Sequence, residues 1–336
     1  MAAQKKNKTG TELEQNERIY TNIAIFTGSF VDLNVLDLSM LNLRFMKFKS
    51  AEFNKLVKQT EYHKGQIARV IKGISEEHLD NDRLQVLLPI NFSKPVKKED
   101  LWLVRDILLV IFPSDIAIAR IIDFQLLGNK IGLSGILSYE FRTTGEDTFA
   151  NYLFLYEHEI QCINQFIPIY IERYNKIPYL TKTIHAYLSS FFQSFSDMEY
   201  LSLCIALESI INGKTELTYR IRRNIAIILA SDVELGKIVF KNIGDVYDLR
   251  SAIAHSTGEK YDRIRIYLPY LRKVISRLIV ELISLNIHDI DKLNSELSYI
   301  GFGDRGKLSE NYVEYKLSTS VWAGVFNDIR EEYKNK

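Results

Sequence analysis

A long helical pattern occupies residues 262–285, which read DRIRIYLPYLRKVISRLIVELISL. Apolar residues recur there every three or four positions, as on the buried face of a helix, and Pro269 near the first turns predicts a start or a kink. Patterns of the same period, separated by short breaks, predict earlier helices over residues 153–174 (interrupted at Pro168), 181–195, 197–211, 216–230 and 235–255. Helices joined by short connections pack as a bundle, so the second half of the chain is predicted to be all-α.

Before residue 150 the hydrophobic pattern of the sequence is different. Short alternating or β-branched runs, bounded by turn signals, predict strands over residues 19–30, 84–90, 116–124 and 131–141. A helix is predicted over residues 98–111, which begin with acidic residues and end before Pro113, and a second one over residues 51–63.

The predicted fold class is therefore an α+β, β-rich N-terminal domain followed by an all-α helical bundle. The predicted domains are residues 1–150, a sensing or regulatory domain, residues 151–288, the helical bundle, and residues 289–336, a tail with a short helix over about 319–333.

Composition excludes several classes of protein. The 336 residues are 46% hydrophobic and 25% charged, which is typical of a globular protein with a sizeable core. Lys and Arg number 43 against 42 Asp and Glu, so any basic surface must come from local clustering. The longest stretch without Asp, Glu, Lys or Arg, Thr183–Ser196, is too short to span a bilayer. We therefore predict a cytoplasmic protein that has no contact with a membrane.

Signatures of common cofactor and metal sites are missing from the sequence. It has no G-x-G-x-x-G after a strand, no Walker A pattern, no H-E-x-x-H and no G-x-S-x-G. Cys162 and Cys204 have neither metal-ligand spacing nor the pattern of a disulfide framework. We predict that no cofactor and no metal is bound.

One group of residues is a candidate for a catalytic site. The end of the predicted helix 235–255 contains the sequence YDLRSAIAHS from Tyr247 to Ser256, in which Arg250 and His255 are separated by four residues. It follows a helix that contains Ala206-Leu207-Glu208, with the segment YRIRRNIA (residues 219–226) between the two.

On these elements, residues 160–285 resemble the HEPN superfamily, most closely its ApeA-like branch. There a helix with an A-L-E element precedes a helix that ends in Y-x-x-R-x-x-x-x-H, the order found here. Two positions depart from the pattern: Ser251 stands where many HEPN nucleases have Asn, Asp or His, and Ser256 where relatives often have Gly.

The resemblance implies an endoribonuclease that needs no metal, in which the ribose 2′-OH attacks the adjacent phosphate and leaves a 2′,3′-cyclic phosphate. His255 is suited to exchange protons near neutral pH, and the guanidinium of Arg250 matches phosphate oxygens. These two are the predicted catalytic residues. The branch further implies abortive infection against phage, with a toxic RNase held inactive until a phage-derived trigger releases it to damage RNA such as tRNA.

The HEPN resemblance, taken together with helix geometry, implies a homodimer or higher oligomer. Five residues correspond to about 500° of helical turn, so the side chains of Arg250 and His255 lie about 140° apart on one helix. HEPN relatives resolve this by dimerising, so that two motifs line one cleft, and we expect the same here.

Several residues are predicted to support the site, each with an alternative. Glu208 shares a helix face with apolar residues and is interpreted as the partner of Arg250, Arg222 or Arg223, because an unpaired carboxylate there is costly. Its alternative role is direct catalysis. Ser251 is expected to bond either substrate or a helical carbonyl. Tyr247 is interpreted mainly as packing and Asp248 as a surface residue, and His255 has the alternative role of a cation at a helix C-terminus.

Basic residues cluster near the motif. Between Lys214 and Arg277 there are 13 Lys and Arg against seven Asp and Glu, an excess that suits RNA phosphates. The predicted RNA-binding residues are Arg222, Arg223, Lys260 and Arg263.

Two other functions stay open. The first is a catalytically silent HEPN module that dimerises or binds nucleotides, which Ser251 and the small net charge favour. The second is a partner or substrate adaptor built on the α+β half, which would bind its ligand through residues 1–150 alone.

Overall fold

The computed structural model of the chain describes residues 19–29, 31–48, 50–59, 73, 84–127, 130–138, 153, 155–211, 216–255, 261–308, 322 and 324–334. Within these ranges an antiparallel sheet is followed by a mostly helical region. The predicted fold class, an α+β N-terminal part followed by a helical bundle, is confirmed.

The sheet has five strands in the order β2-β3-β1-β4-β5, and every neighbouring pair is antiparallel. The strands are β1 (Ile19–Thr27), β2 (Leu43–Lys47), β3 (Gln85–Pro89), β4 (Ala117–Leu127) and β5 (Lys130–Ser138). Four of them coincide with the predicted runs, whereas β2 was not predicted. Its five residues are too few for a clear alternation, and the strand is defined by pairing with β3 from Leu43↔Pro89 to Lys47↔Gln85.

The central strand β1 is buried on both faces of the sheet, and its successive residues point to opposite sides. In β1, Ile23 and Ile25 belong to a small core that also contains Phe53 of helix α1 (Ala51–Gln59). Ala24 and Phe26 belong to a larger core on the opposite face.

Helix α2 (Lys98–Ile111) lies on that larger core and joins the sheet to the helical half. It begins and ends at the predicted residues. The carbonyl oxygen of Leu109 accepts a hydrogen bond from the Tyr187 hydroxyl at 2.8 Å, and that of Val110 accepts one from Ser276 Oγ at 2.6 Å. The core is thus continuous across the predicted boundary at residue 150, and the division into domains stays a prediction.

The remaining helices are α3 (Glu157–Arg173), α4 (Pro178–Ser190), α5 (Ser196–Glu208), α6 (Leu217–Leu229), α7 (Val233–Ala254), α8 (Tyr261–Leu285), α9 (Ile290–Tyr299) and α10 (Ile329–Lys334). α3 continues through Pro168, so the predicted interruption is wrong, and α8 likewise contains Pro269. α9 was not predicted. The predicted tail helix appears as α10, with turns before it, and residues 319–321 and 323 of that prediction lie outside the described ranges. Among the described helices, none combines the length and apolar character needed to span a bilayer.

The last described residues lie along α7 and α8. Trp322 donates its indole N–H to Ser276 Oγ at 3.0 Å, and the guanidinium of Arg330 makes two contacts with the carboxylate of Asp245. The side chain of Asp245 is only 5% exposed. The end of the chain therefore fixes α7, the helix that carries the Arg250–His255 motif.

Candidate functional site

The motif occupies the C-terminal end of α7. This helix starts at an N-cap, Asp232, whose side chain accepts a hydrogen bond from the backbone N–H of Leu235 at 2.9 Å. His255 is its C-cap, where the backbone N–H donates to the carbonyl of Ser251 at 3.1 Å. The helix is continuous to Ala254, so the expected angle of about 140° between Arg250 and His255 applies to this chain.

The Arg250 guanidinium is held by Glu208, the last residue of α5. Arg250 Nε lies 3.0 Å from Glu208 Oε1, and the two side chains are 38% and 24% exposed, respectively. Of the three arginines considered from sequence as partners of Glu208, the structure selects Arg250. The contact is made through Nε of a partly exposed guanidinium, a group that is suited to form bidentate hydrogen bonds with phosphate.

Tyr247 lies beside this ion pair and is buried, with 6% of its surface exposed. Burial, followed by the proximity of Cys204 and of the Glu208 carboxylate, raises the pKa of the Tyr247 hydroxyl well above its usual range. The Tyr247 hydroxyl has a contact with the Glu208 carboxylate whose hydrogen-bond geometry is poor. Glu208 therefore lies between the Arg250 guanidinium, which its Oε1 contacts, and the Tyr247 hydroxyl.

Three polar residues of the motif are open to solvent. Asp248, Ser251 and His255 are all exposed, and for Asp248 this agrees with its interpretation as a surface residue. Tyr247 and half-buried Glu208 therefore form the floor of the site. The exposed side chains around them form a rim that a large ligand can reach.

Arg222 packs across α7 rather than projecting from the surface. Its Nε donates to the carbonyl of Phe240 at 3.0 Å, and its Cζ lies 4.1 Å from the centre of the Phe240 ring. Gly244 makes room for it, because a Cβ atom at this position would lie 2.8 Å from Arg222 Cζ. Half-buried, Arg222 joins α6 to α7.

Two further predicted RNA-binding residues also have protein contacts. Arg223 donates to the carbonyls of Leu297 and Ile300, both at 2.6 Å, and thereby caps the C-terminal end of α9. The guanidinium of Arg263 lies 5.4 Å from the centre of the Tyr267 ring. Lys260 lies outside the described residues. RNA binding by these four residues stays a prediction, and the contacts of Arg223 are those of a structural residue.

Asp245 and Arg330, which are 85 residues apart, form an ion pair that was not predicted from sequence. No local signal could have found it, since neither residue stands in a motif and only the tertiary fold brings them together. In the ranges that the structure describes, no three His, Cys, Asp or Glu side chains are grouped so as to hold a metal ion.

Comparison of the chain with protein-family models, with curated proteins and with solved structures found no match.

Proposed function

We propose that the chain is a HEPN-type endoribonuclease of the cytoplasm that cleaves RNA without a metal ion. The observation that carries the proposal is the composition of one small site. A half-exposed arginine is fixed by a carboxylate beside a buried tyrosine hydroxyl, and an exposed histidine ends the same helix.

The proposed reaction is an internal transesterification. The ribose 2′-oxygen forms a bond to the adjacent phosphorus, and the bond from phosphorus to the 5′-oxygen of the next nucleotide breaks. One proton leaves the 2′-OH and one is delivered to the 5′-oxygen, so the products are a 2′,3′-cyclic phosphate and a 5′-OH. His255 exchanges the protons, while Arg250 stabilises the negative charge that gathers on the phosphate oxygens.

The angle between the two side chains makes a homodimer part of the proposal. One chain presents Arg250 and His255 about 140° apart around α7, which is a poor arrangement for one phosphate. Two motifs facing one cleft supply an arginine from one chain and a histidine from the other.

Regulation through the N-terminal half completes the proposal. An RNase that acts on cellular RNA such as tRNA must be held inactive until needed, and in abortive infection a phage-derived trigger releases it. Helix α2 is the element suited to transmit such a signal, because it packs on the sheet and also bonds Tyr187 and Ser276 of the helical half.

The test is incubation of the purified chain with total tRNA and a labelled single-stranded RNA in EDTA. Wild type is compared with His255→Ala, with Arg250→Ala and with a matched control, His288→Ala, because His288 is an exposed histidine far along the chain from the motif. We expect cleavage by wild type and by the control, cyclic-phosphate ends, and a loss of at least about 100-fold in both motif variants. Equal cleavage by wild type and His255→Ala would contradict the proposal.

The alternative is a catalytically silent HEPN module that dimerises or binds nucleotides. The ion pair favours this silent module in one respect. Glu208 already neutralises part of the charge on Arg250, which leaves less charge to stabilise a transition state. Nucleotide binding that is lost in Arg250→Ala, together with harmless expression of wild type in cells and no cleavage, would favour this alternative.

A further inference from the structure

One side of α7 has no side chain at two positions in its interior. Gly236 and Gly244 are the glycines of this helix, and each makes room for a side chain from another part of the chain. A Cβ atom at Gly236 would lie 2.6 Å from the Cβ of Phe302, and one at Gly244 would lie 2.8 Å from Arg222 Cζ. Glycine inside a helix is unfavourable relative to alanine, so the space that these positions leave accounts for them better than helix propensity does.

Phe240 stands midway between the two glycines, at the spacing that places all three on one side of the helix. The centre of its ring lies 5.9 Å from that of Phe302 and 5.9 Å from that of Tyr219 on α6. Arg222 Cζ lies 4.1 Å from the same centre. We call Tyr219, Arg222, Phe240 and Phe302 the Phe240 cluster. Tyr219 is 52% exposed, so the cluster reaches the surface there.

The guanidinium of Arg222 gives the Phe240 cluster a positive charge, and no carboxylate among the described residues pairs with it. One of its five N–H groups donates to the carbonyl of Phe240, which leaves the others to bind a further acceptor. Exposed Lys237 on the same helix, by contrast, is paired with Glu234. Arginine is rarely buried without a partner, so a half-buried guanidinium without a carboxylate is suited to bind an anion.

The Phe240 cluster is aligned with the motif at the end of α7. The steps from Phe240 through Gly244 and Tyr247 to Ser251 are four, three and four residues, the spacing of one helical face. Gly244, where the guanidinium of Arg222 lies, comes seven residues before Ser251, which is about 10 Å along the helix axis. A stacked strand of nucleic acid advances about 3.4 Å per nucleotide, so about three nucleotides span this distance.

We propose that the Phe240 cluster is a nucleotide-binding subsite for the RNA substrate, about three nucleotides from the phosphate that is cleaved. Arg222 binds a phosphate of the strand through its remaining N–H groups, and the ring of Tyr219 stacks on the adjacent base. Phe240 orients the guanidinium from below, and Gly244 lets it lie against α7. The substrate is thereby a single strand that extends about three nucleotides or more to one side of the cleavage position. This assignment rests on the proposed function.

The test measures RNA binding separately from RNA cleavage. The probe is a fluorescently labelled single-stranded RNA in which every 2′-hydroxyl is methylated, so that the proposed attack cannot occur, and its anisotropy in EDTA gives the Kd. Gly244→Ala keeps the charge of Arg222 and displaces its guanidinium, so we expect the Kd to rise about 10-fold or more, even though alanine favours the helix. The matched control is Gly306→Ala, where a Cβ atom would meet nothing within 4 Å, and it should bind as wild type does.

Two further variants separate the phosphate contact from the stacking contact. Arg222→Gln should lower the slope of log K against log salt by about 0.7, the value for one phosphate contact on a single strand. A purely structural arginine would change stability and leave this slope as it is. Tyr219→Ala should raise the Kd about 5- to 100-fold, whereas Tyr219→Phe, which keeps the ring, should bind tightly. Tyr156→Ala, at a tyrosine of similar exposure (51%) just before α3, is the matched control.

Each outcome supports or overturns the subsite. An Arg222→Gln variant with the affinity and salt slope of wild type would overturn it, as would a Tyr219→Ala variant that binds as the Tyr156→Ala control does. A wild type that does not bind the methylated RNA would overturn it as well. A chain that binds this RNA as expected and cleaves no RNA would leave the subsite standing and count against the nuclease alone.

Discussion

Arg250 Nε and Glu208 Oε1 lie 3.0 Å apart, and their contact joins the C-terminal ends of α5 and α7. The Glu208 carboxylate orients the Arg250 guanidinium and neutralises part of its positive charge. Through Arg250, Glu208 affects how a phosphate is bound, although Glu208 itself does not touch the reacting atoms. Glu208 is in this sense a positioning residue for the proposed reaction.

Glu208→Gln tests this role, because the amide keeps the shape of the side chain and removes its charge. We expect RNA cleavage at saturating RNA to fall about 10- to 100-fold, since a misplaced catalytic group costs about that much. Single-turnover rates should change more than the affinity for RNA. The control is Glu234→Gln on the exposed start of α7, where Glu234 pairs with Lys237. Unchanged turnover in a folded Glu208→Gln variant would show that the ion pair has no part in catalysis.

Two buried tyrosines give a matched pair of stability predictions. The Tyr200 hydroxyl donates to the carbonyl of Val246 at 3.0 Å, whereas the Tyr247 hydroxyl has only a poorly aligned contact with the Glu208 carboxylate. Tyr200→Phe should lower the free energy of unfolding by about 1–2 kcal/mol, because a buried carbonyl loses its donor. Tyr247→Phe should lower it by less than that, because only a poorly aligned contact is lost. Urea unfolding of both variants measures the difference, and a larger loss in Tyr247→Phe would mean that the hydroxyl is satisfied in solution.

Much of the fold could be predicted from sequence wherever local periodicity decides. The bounds of α2 are the predicted ones, since its acidic start and the following Pro113 lie within the pattern itself. Strand β2 was missed because its five residues depend on pairing with β3. The interruption expected at Pro168 and the helix start expected at Pro269 are wrong, because both helices continue through these prolines and packing outweighs a single missing hydrogen bond. A kink at Pro269 stays a prediction.

For the candidate site, the sequence could place residues on helices but could not choose their partners. It predicted that Glu208 needs an arginine, and three arginines satisfied the pattern equally well. The choice of Arg250 depends on how α5 and α7 pack. Arg223, predicted to bind RNA, has contacts that could not be predicted, because it caps α9, a helix that was not predicted.

Ser276 is expected to be important for stability because it links three elements. Trp322 Nε1 donates to its hydroxyl at 3.0 Å, and the hydroxyl donates to the carbonyl of Val110 at 2.6 Å. Ser276→Ala should lower the free energy of unfolding by about 2–4 kcal/mol, since a donor and an acceptor are both left without a partner in the core. The fluorescence of Trp322 reports the transition. Ser298→Ala, which removes an exposed hydroxyl bonded to the carbonyl of Ser295, should change the free energy by less than about 0.5 kcal/mol.

Asp106 predicts a pH dependence of stability. Burial raises the pKa of this carboxyl above its usual 3.8, and the adjacent Arg105 guanidinium opposes the shift without cancelling it. The folded chain therefore holds the Asp106 proton more tightly than the unfolded chain does, so this group stabilises the fold at low pH. Its contribution is lost as the pH rises from about 4 through the folded-state pKa. Relative to Asp106→Asn, which does not titrate, wild type should lose stability across this window and then stay level up to pH 7. Urea unfolding of both proteins from pH 4 to pH 7 measures the slope, and a gain by wild type with rising pH would mean that the guanidinium, rather than burial, controls Asp106.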